Sequence, residues 1–241
     1  MHSSKPRPQA VTFDFWLTLF QDASGSVRQE MRIEAFRKAL GTPEDETRHA
    51  FEQWPRIFYE VHIGEQRTLT PRDAVDIACR ELDIAIDEAI AVRLANEFAE
   101  AILEHPPTLL EGAEEAVRKA AERFPVGLIS DTAISPGRVL RPLIERNGLA
   151  GCFQVLTFSD EVGVAKPQRA MFERTAEALG VPMASLLHLG DLEPTDIAGV
   201  QAVGGRGALF IGANDRFRDD TRADYVVENW GDFLVRFSDM V

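Results

Sequence analysis

VTFDFWLT, residues 11–18, is the stretch that decides the fold. Its valine, threonine and phenylalanines favour extended backbone, and a continuous apolar run reads as a strand covered on both faces, as in a parallel sheet. Inside it stands Asp14, a carboxylate that is costly to bury in ionised form unless it is paired or metal-bound. Four further short runs have the same character: VGLIS (126–130), QVLTF (154–158), SLLHLG (185–190) and GALFIG (207–212). Helical segments alternate with them at GAEEAVRKAAERF (112–124), PGRVLRPLIERNG (136–148), AMFERTAEALG (170–180) and EPTDIAGVQAVGG (193–205), several closed by glycine. Strand alternating with helix predicts an α/β fold, a doubly wound parallel sheet with a Rossmannoid core.

Residues 22–107 break this alternation. Their apolar residues follow helical spacing: Phe51, Trp54, Phe58 and Val61, then Ala74, Ile77, Ala78 and Leu82, then Ile90, Leu94, Phe98 and Ile102. The interval reads as an inserted all-helical cap, entered after the first strand and left at Pro106 and Pro107, which forbid helix continuation. The expected division is a core of residues 1–21 and 108–241 and a cap of residues 22–107.

Composition limits the function classes. A chain of 241 residues, 45% apolar, can bury one large core plus a smaller module. A formal charge of −13 removes the usual driving force for nucleic-acid binding. Only Cys79 and Cys152 occur, without CxxC spacing, which excludes a cysteine zinc site and predicts two reduced, buried thiols. The opening MHSSKPRPQA is polar and reads as a short disordered lead-in, and no apolar run reaches membrane-spanning length. A cytoplasmic protein, with no membrane partner, is expected. Dinucleotide, P-loop, nucleophile-elbow and HExxH motifs are missing from the sequence.

Loops at the carboxyl ends of a doubly wound sheet converge on one crevice, where ligands bind. Here those loops carry Asp14 with Thr18, Ser130 with Asp131, Asp191 with Asp196, and Lys166. His188 lies within a strand and is expected to be packed in the core.

The motifs FDFWLT, LIS, VAKP and GDLEPTD, in that order, resemble those of the haloacid dehalogenase superfamily, over about residues 10–21 and 108–235. The insertion falls where members with a C1-type cap carry theirs. The resemblance implies that Asp14 is a nucleophile forming an aspartyl-phosphate, and that Mg²⁺ is held by Asp14, the main-chain carbonyl of Trp16, Asp191 and Asp196. It implies that Lys166 orients Asp14, that Thr18 and Ser130 donate to phosphoryl or carboxylate oxygens, and that Asp131 and Thr132 lie against a small phosphorylated substrate. A monomer or a homodimer is compatible with this reading.

Two positions depart from the family's phosphatases. Trp16 replaces the second aspartate, which protonates the leaving oxygen, and Leu17 replaces the glycine that often follows. General acid catalysis contributes roughly 10²- to 10⁴-fold in rate, so a phosphatase here needs either a substrate whose leaving group requires little protonation or an acid supplied by the cap or by the substrate. Two alternatives stay open. A 2-haloacid dehalogenase needs no acid and places an aromatic residue at position 16, but has asparagine at position 131 and no carboxylate at 191. A catalytically impaired member would bind a phosphorylated ligand only. Trp16 can also wall the pocket. Arg56, Tyr59, His62 and Arg67 of the insertion are each either cap side chains reaching the crevice or ordinary core and solvated residues.

Overall fold

In the computed structural model, which describes residues 5–241, the run before Asp14 forms strand β1 (Ala10–Phe13), buried along its whole length. Its neighbours are β4 (Val126–Ser130) and β6 (Leu186–Gly190), both parallel to it, with Phe13 beside Leu128 on one side and Leu189 on the other. Strand β5 (Val155–Phe158) extends the sheet beyond β4, and β7 (Arg206–Phe210) and β8 (Tyr225–Val227) extend it beyond β6. The order is therefore β5-β4-β1-β6-β7-β8. The chain first runs outward from β1 through β4 and β5, then returns to β6 on the other side, so the topological switch point lies between β1 and β6.

Successive side chains of β1 enter different cores, as the twofold period of a strand requires. Val11 and Phe13 pack with α6 (Ala113–Ala121), α7 (Gly137–Arg146) and α11 (Trp230–Met240), through Val117, Leu140, Trp230 and Phe233 among others. Ala10 faces the opposite layer, with Met171 and Phe172 of α9 (Arg169–Leu179) and Val200 of α10 (Ala198–Ala202). The short α8 (Ser159–Val162) follows β5 directly.

The insertion is all-helical, with α1 (Gly25–Leu40), α2 (Glu44–Glu52), α3 (Trp54–Tyr59), a π-helical turn at Glu60–Glu65, α4 (Pro71–Glu81) and α5 (Glu88–Glu104). Local sequence sets the ends. Gly41 closes α1 in the left-handed region, Thr70 and Asp73 form a capping box before α4, and Asp87 caps α5. Ile33, Phe36, Phe51, Val75, Leu94 and Phe98 give these helices a core of their own. Entry and exit meet in a two-stranded antiparallel ribbon, β2 (Phe20–Gln21) against β3 (Thr108–Leu109). No helix among the described residues is long and apolar enough to cross a membrane.

Three expectations need correction. The polar lead-in is held down from Lys5 onward. Lys5 Nζ lies 2.7 Å from Asp224, Arg206 donates to the carbonyls of Lys5 and Pro6, the Gln9 amide donates to the Ser185 carbonyl, and Ala10 already belongs to β1. Residues 1–4 of that expectation lie outside the described residues. Cys152 is half-buried, at the rim of the core, while Cys79 is buried; both are free thiols. The helix expected from residue 193 begins as a π-helical turn, Glu193–Ile197, before α10.

Candidate active site

Asp14 directly follows β1 and Asp191 directly follows β6, so the switch point is flanked by two carboxylates. Asp196 reaches the same place from the π-helical turn after β6. Oxygens of all three lie within 4.8 Å of one another, and all three residues are buried. Gly190 makes this possible, because a Cβ at that position would overlap the Asp196 carboxyl. Lys166, 2% exposed, enters from the loop after α8. Its Nζ donates to Asp14 Oδ1 at 2.7 Å, Asp196 Oδ1 at 2.6 Å and the Ile129 carbonyl at 3.0 Å.

One ammonium among three carboxylates does not balance the charge. Burial would raise Asp196, but Lys166 and a hydrogen bond from His188 outweigh it and hold Asp196 well below the usual carboxylate range. Burial would lower Lys166, but Asp14, Asp196 and Asp131 outweigh that and keep it firmly protonated. Asp14 is raised well above its ordinary range, by burial first and also by Asp196 and Asp191, against the pull of Lys166. Asp191 is pushed up to about 7, by burial and then by Asp196. A closely spaced set of hard oxygens with surplus negative charge fits a divalent cation, whose charge would bring Asp14 and Asp191 down.

Around this floor lies a cavity of about 320 Å³, lined by Asp14, Trp16, Asp131, Thr132, Lys166, Asp191 and Asp196 of the residues singled out in the sequence. Asp131 accepts the Lys166 amide at 3.0 Å, and burial raises its carboxyl. The Thr132 amide donates to Ser159 Oγ, and the two hydroxyls lie 3.2 Å apart. Thr18 and Ser130 are fully buried beside the cavity but do not line it. Among the described residues Thr18 Oγ1 has no hydrogen-bond partner and Ser130 Oγ makes a single long 3.4 Å contact with the Asp131 carbonyl, so both hydroxyls have capacity to spare. Leu17, where glycine would be unstrained, adopts φ 52°.

His188 is packed as expected, yet it is tied to the site. Its Nε2 lies 3.1 Å from Asp196 Oδ1 and its Nδ1 2.9 Å from Thr12 Oγ1. Of the four cap residues considered from sequence, only His62 lines the cavity. Arg56 and Arg67 are exposed and paired with acidic neighbours, and Tyr59 is half in solvent. His62 is 7% exposed. Its Nε2 lies 3.3 Å from Asp131 Oδ2 without hydrogen-bonding geometry, and burial lowers its pKa.

The cavity also takes in Asp22, Arg28, Arg32, Trp54, Phe58, Ile134 and Thr195, none of which was singled out as a site residue. Arg28 and Arg32 are four apart in the first helix after the Asp14 loop, and that spacing on one helical face was the available signal.

A family model described as haloacid dehalogenase-like hydrolase matches residues 8–204. The pyrimidine 5'-nucleotidase YjjG of Escherichia coli is 36% identical over 93 residues, which make up 38% of this chain and 40% of that protein's length. The 5-amino-6-(5-phospho-D-ribitylamino)uracil phosphatase YigB of the same organism is 23% identical over 202 residues, 80% of this chain and 79% of that protein. Among solved structures, a 2-haloacid dehalogenase from Pseudomonas syringae superposes with a TM-score of 0.69 at 21% identity, covering 97% of this chain and all of the other. That likeness shows a common fold.

Proposed function

This chain belongs to the haloacid dehalogenase-like hydrolases, and from that premise we propose that it is a Mg²⁺-dependent phosphatase of a small phosphorylated metabolite, with Asp14 as nucleophile. The observation that carries the reading is the trio Asp14, Asp191 and Asp196 with Lys166 bonded between two of them. The nucleotidase and the phosphatase to which the chain is similar support the same chemistry.

Lys166 holds Asp14 Oδ1, and among the described residues Oδ2 has no hydrogen-bond donor, so Oδ2 is the oxygen left to attack phosphorus. Attack forms the bond from Asp14 to phosphorus as the bond to the leaving oxygen breaks, and water then hydrolyses the aspartyl-phosphate. Asp14, Asp191 and the main-chain carbonyl of Trp16, with Asp196 beside them, would hold Mg²⁺. The cation supplies charge neutralisation between the nucleophile and the phosphoryl oxygens. Asp196 already accepts from Lys166, His188 and the Leu192 amide, so its main task is to fix Lys166, and its negative charge would help hold the cation. Asp131, Thr132 and the Trp16 ring border the substrate, whereas Thr18 and Ser130, fully buried and outside the cavity lining, are not positioned against a phosphoryl oxygen. Trp16 cannot carry a proton, and the leaving oxygen is served instead by His62, whose Nε2 makes no hydrogen bond among the described residues and, because burial lowers its pKa while Asp131 raises it, acts as an acid best on the acidic side of neutrality.

The test is hydrolysis of p-nitrophenyl phosphate and acetyl phosphate with Mg²⁺, with chelator, and by Asp14→Asn. Turnover is expected to fall by about 10³-fold or more in both the chelated and the mutant samples. Equal rates for the parent protein and Asp14→Asn would overturn the proposal. A second reading, dehalogenation, is favoured only by the aromatic Trp16. Halide release from a 2-haloacid that chelator leaves untouched would establish it in place of the first.

A further inference from the structure

Three buried cations line the cavity, and two are balanced. Lys166 pairs with Asp14 and Asp196, and Arg28 pairs with Asp22 while donating to the His105 carbonyl at 2.9 Å. Arg32 is different. It is 7% exposed, and its Nε donates to the Phe98 carbonyl at 3.1 Å, but among the described residues no carboxylate lies within ion-pairing distance of it. Among the described residues its terminal nitrogens have no acceptor, and they are not sealed from the cavity. Arg32 therefore faces the cavity with its two strongest donors free.

The surroundings make that arrangement expensive. Burial, with Arg28 one turn away on α1, pushes the Arg32 guanidinium down to about 10, which still leaves it cationic at neutral pH. An unpaired buried charge is costly to keep, and one that faces a cleft marks a candidate ligand site. The adjacent wall is apolar, formed by Trp16, Trp54, Phe58 and Ile134, so the cavity combines an oxygen-rich floor, an apolar side and one unsatisfied fork of N–H donors. A planar fork of that kind matches an oxyacid in bidentate fashion.

Building on the phosphatase reading, we infer that Arg32 receives a second anionic group of the substrate, so that the ester carries a carboxylate or another phosphate remote from the scissile one, on an apolar frame. The chain as a whole repels anions, with a formal charge of −13, and a local cation beyond the floor is what selects a ligand with two anionic groups over one with the phosphate alone.

Non-hydrolysable phosphonates separate this inference from the question of turnover. Phenylphosphonate, 3-carboxyphenylphosphonate and benzene-1,3-diphosphonate would be titrated by calorimetry into the full chain with Mg²⁺. A charge-assisted pair predicts that one of the two substituted compounds binds about 10- to 100-fold more tightly than phenylphosphonate, and which one identifies the group as carboxylate or phosphate. Arg32→Gln should remove most of that ratio, and Arg32→Lys, which keeps the charge but not the fork, should retain part of it. Equal affinities for the three compounds in the parent protein, no binding of either substituted compound, or an unchanged ratio in Arg32→Gln would each overturn the assignment. Should Arg32→Gln fail to fold, the parent and Arg32→Lys ratios decide. Loss of phosphatase activity alone, with the binding ratio intact, would sink the catalytic reading and leave the anion receptor standing.

Discussion

The floor and the roof of the cavity are built on opposite principles. The floor comes from strand ends: Asp14 after β1 and Asp191 after β6, with Asp196 beside them and Lys166 joining Asp14 and Asp196 by hydrogen bonds of 2.7 and 2.6 Å. The roof comes from cap helices: Arg32 on α1, Trp54 and Phe58 on α3, and His62 on a π-helical turn. Lys166, Asp196 and the buried His188 satisfy one another, with a partner on each ring nitrogen of His188, and the floor's one deficit is surplus carboxylate charge at Asp14 and Asp191. Roof groups are left incomplete, with His62 Nε2 unpartnered and Arg32 without a carboxylate. Completed hydrogen bonds fix geometry, whereas incomplete ones await a ligand. The contrast suggests that reaction type resides in the floor and substrate choice in the roof.

The sharpest challenge to that division is His62, a roof residue given a chemical task. If it protonates the leaving oxygen, His62→Gln should slow hydrolysis of an alkyl phosphate by roughly 10²-fold or more. It should slow p-nitrophenyl phosphate far less, because nitrophenolate leaves without needing a proton. Steady-state kinetics on the two esters would check this. A similar loss on both would mean that His62 only shapes the cavity, and the division would then be cleaner than proposed.

On the floor, the test is of crowding. Gly190→Ala would drive a methyl group into the Asp196 carboxyl, which is buried and held in place by Lys166, His188 and the Leu192 amide. Overpacking of this kind costs about 1 to 3 kcal/mol, measurable by urea denaturation. Displacing Asp196 should also loosen Lys166 and so reduce turnover. A variant with parental stability and activity would show the floor to be more plastic than its hydrogen bonds imply.

The same contrast explains what could be read from the sequence. Asp14 inside VTFDF is a charge breaking an apolar strand, and a strand end has one direction, so the crevice and its carboxylates followed from pattern alone. The cap gave no such anchor. Phe51, Trp54, Phe58 and Val61 look like one helical stripe, but the helix breaks at Gln53, and Pro55 starts another. Phe51 stays in the cap core, while Trp54 and Phe58 face the cavity. Helical period cannot say which of two apolar surroundings a residue meets. Strand β8 and the β2–β3 ribbon escaped notice because three and two residues are too few for a periodicity to register.

The smallest expected effect concerns protons. Burial lowers the pKa of His62, with Asp131 pulling the other way and Lys166 adding to the fall. A histidine in an unfolded chain titrates near 6.5, so below that pH the unfolded state takes up a proton that the folded state resists. Folding stability contributed at this position is therefore present above about pH 6.5 and is lost as pH falls. The slope cannot exceed about 1.4 kcal/mol per pH unit for one proton. Asp14, Asp131 and Asp191 have raised pKa values and act with the opposite sign, because the folded state holds their protons longer as pH rises. The informative quantity is thus the difference between the parent protein and His62→Gln, from urea denaturation between pH 5 and 8 with Mg²⁺ present. The parent should lose ground against the variant as pH drops through 6.5. A flat difference would mean that Asp131 compensates the imidazolium fully, making His62 as satisfied as any floor residue and removing the distinction from which its proposed role was drawn.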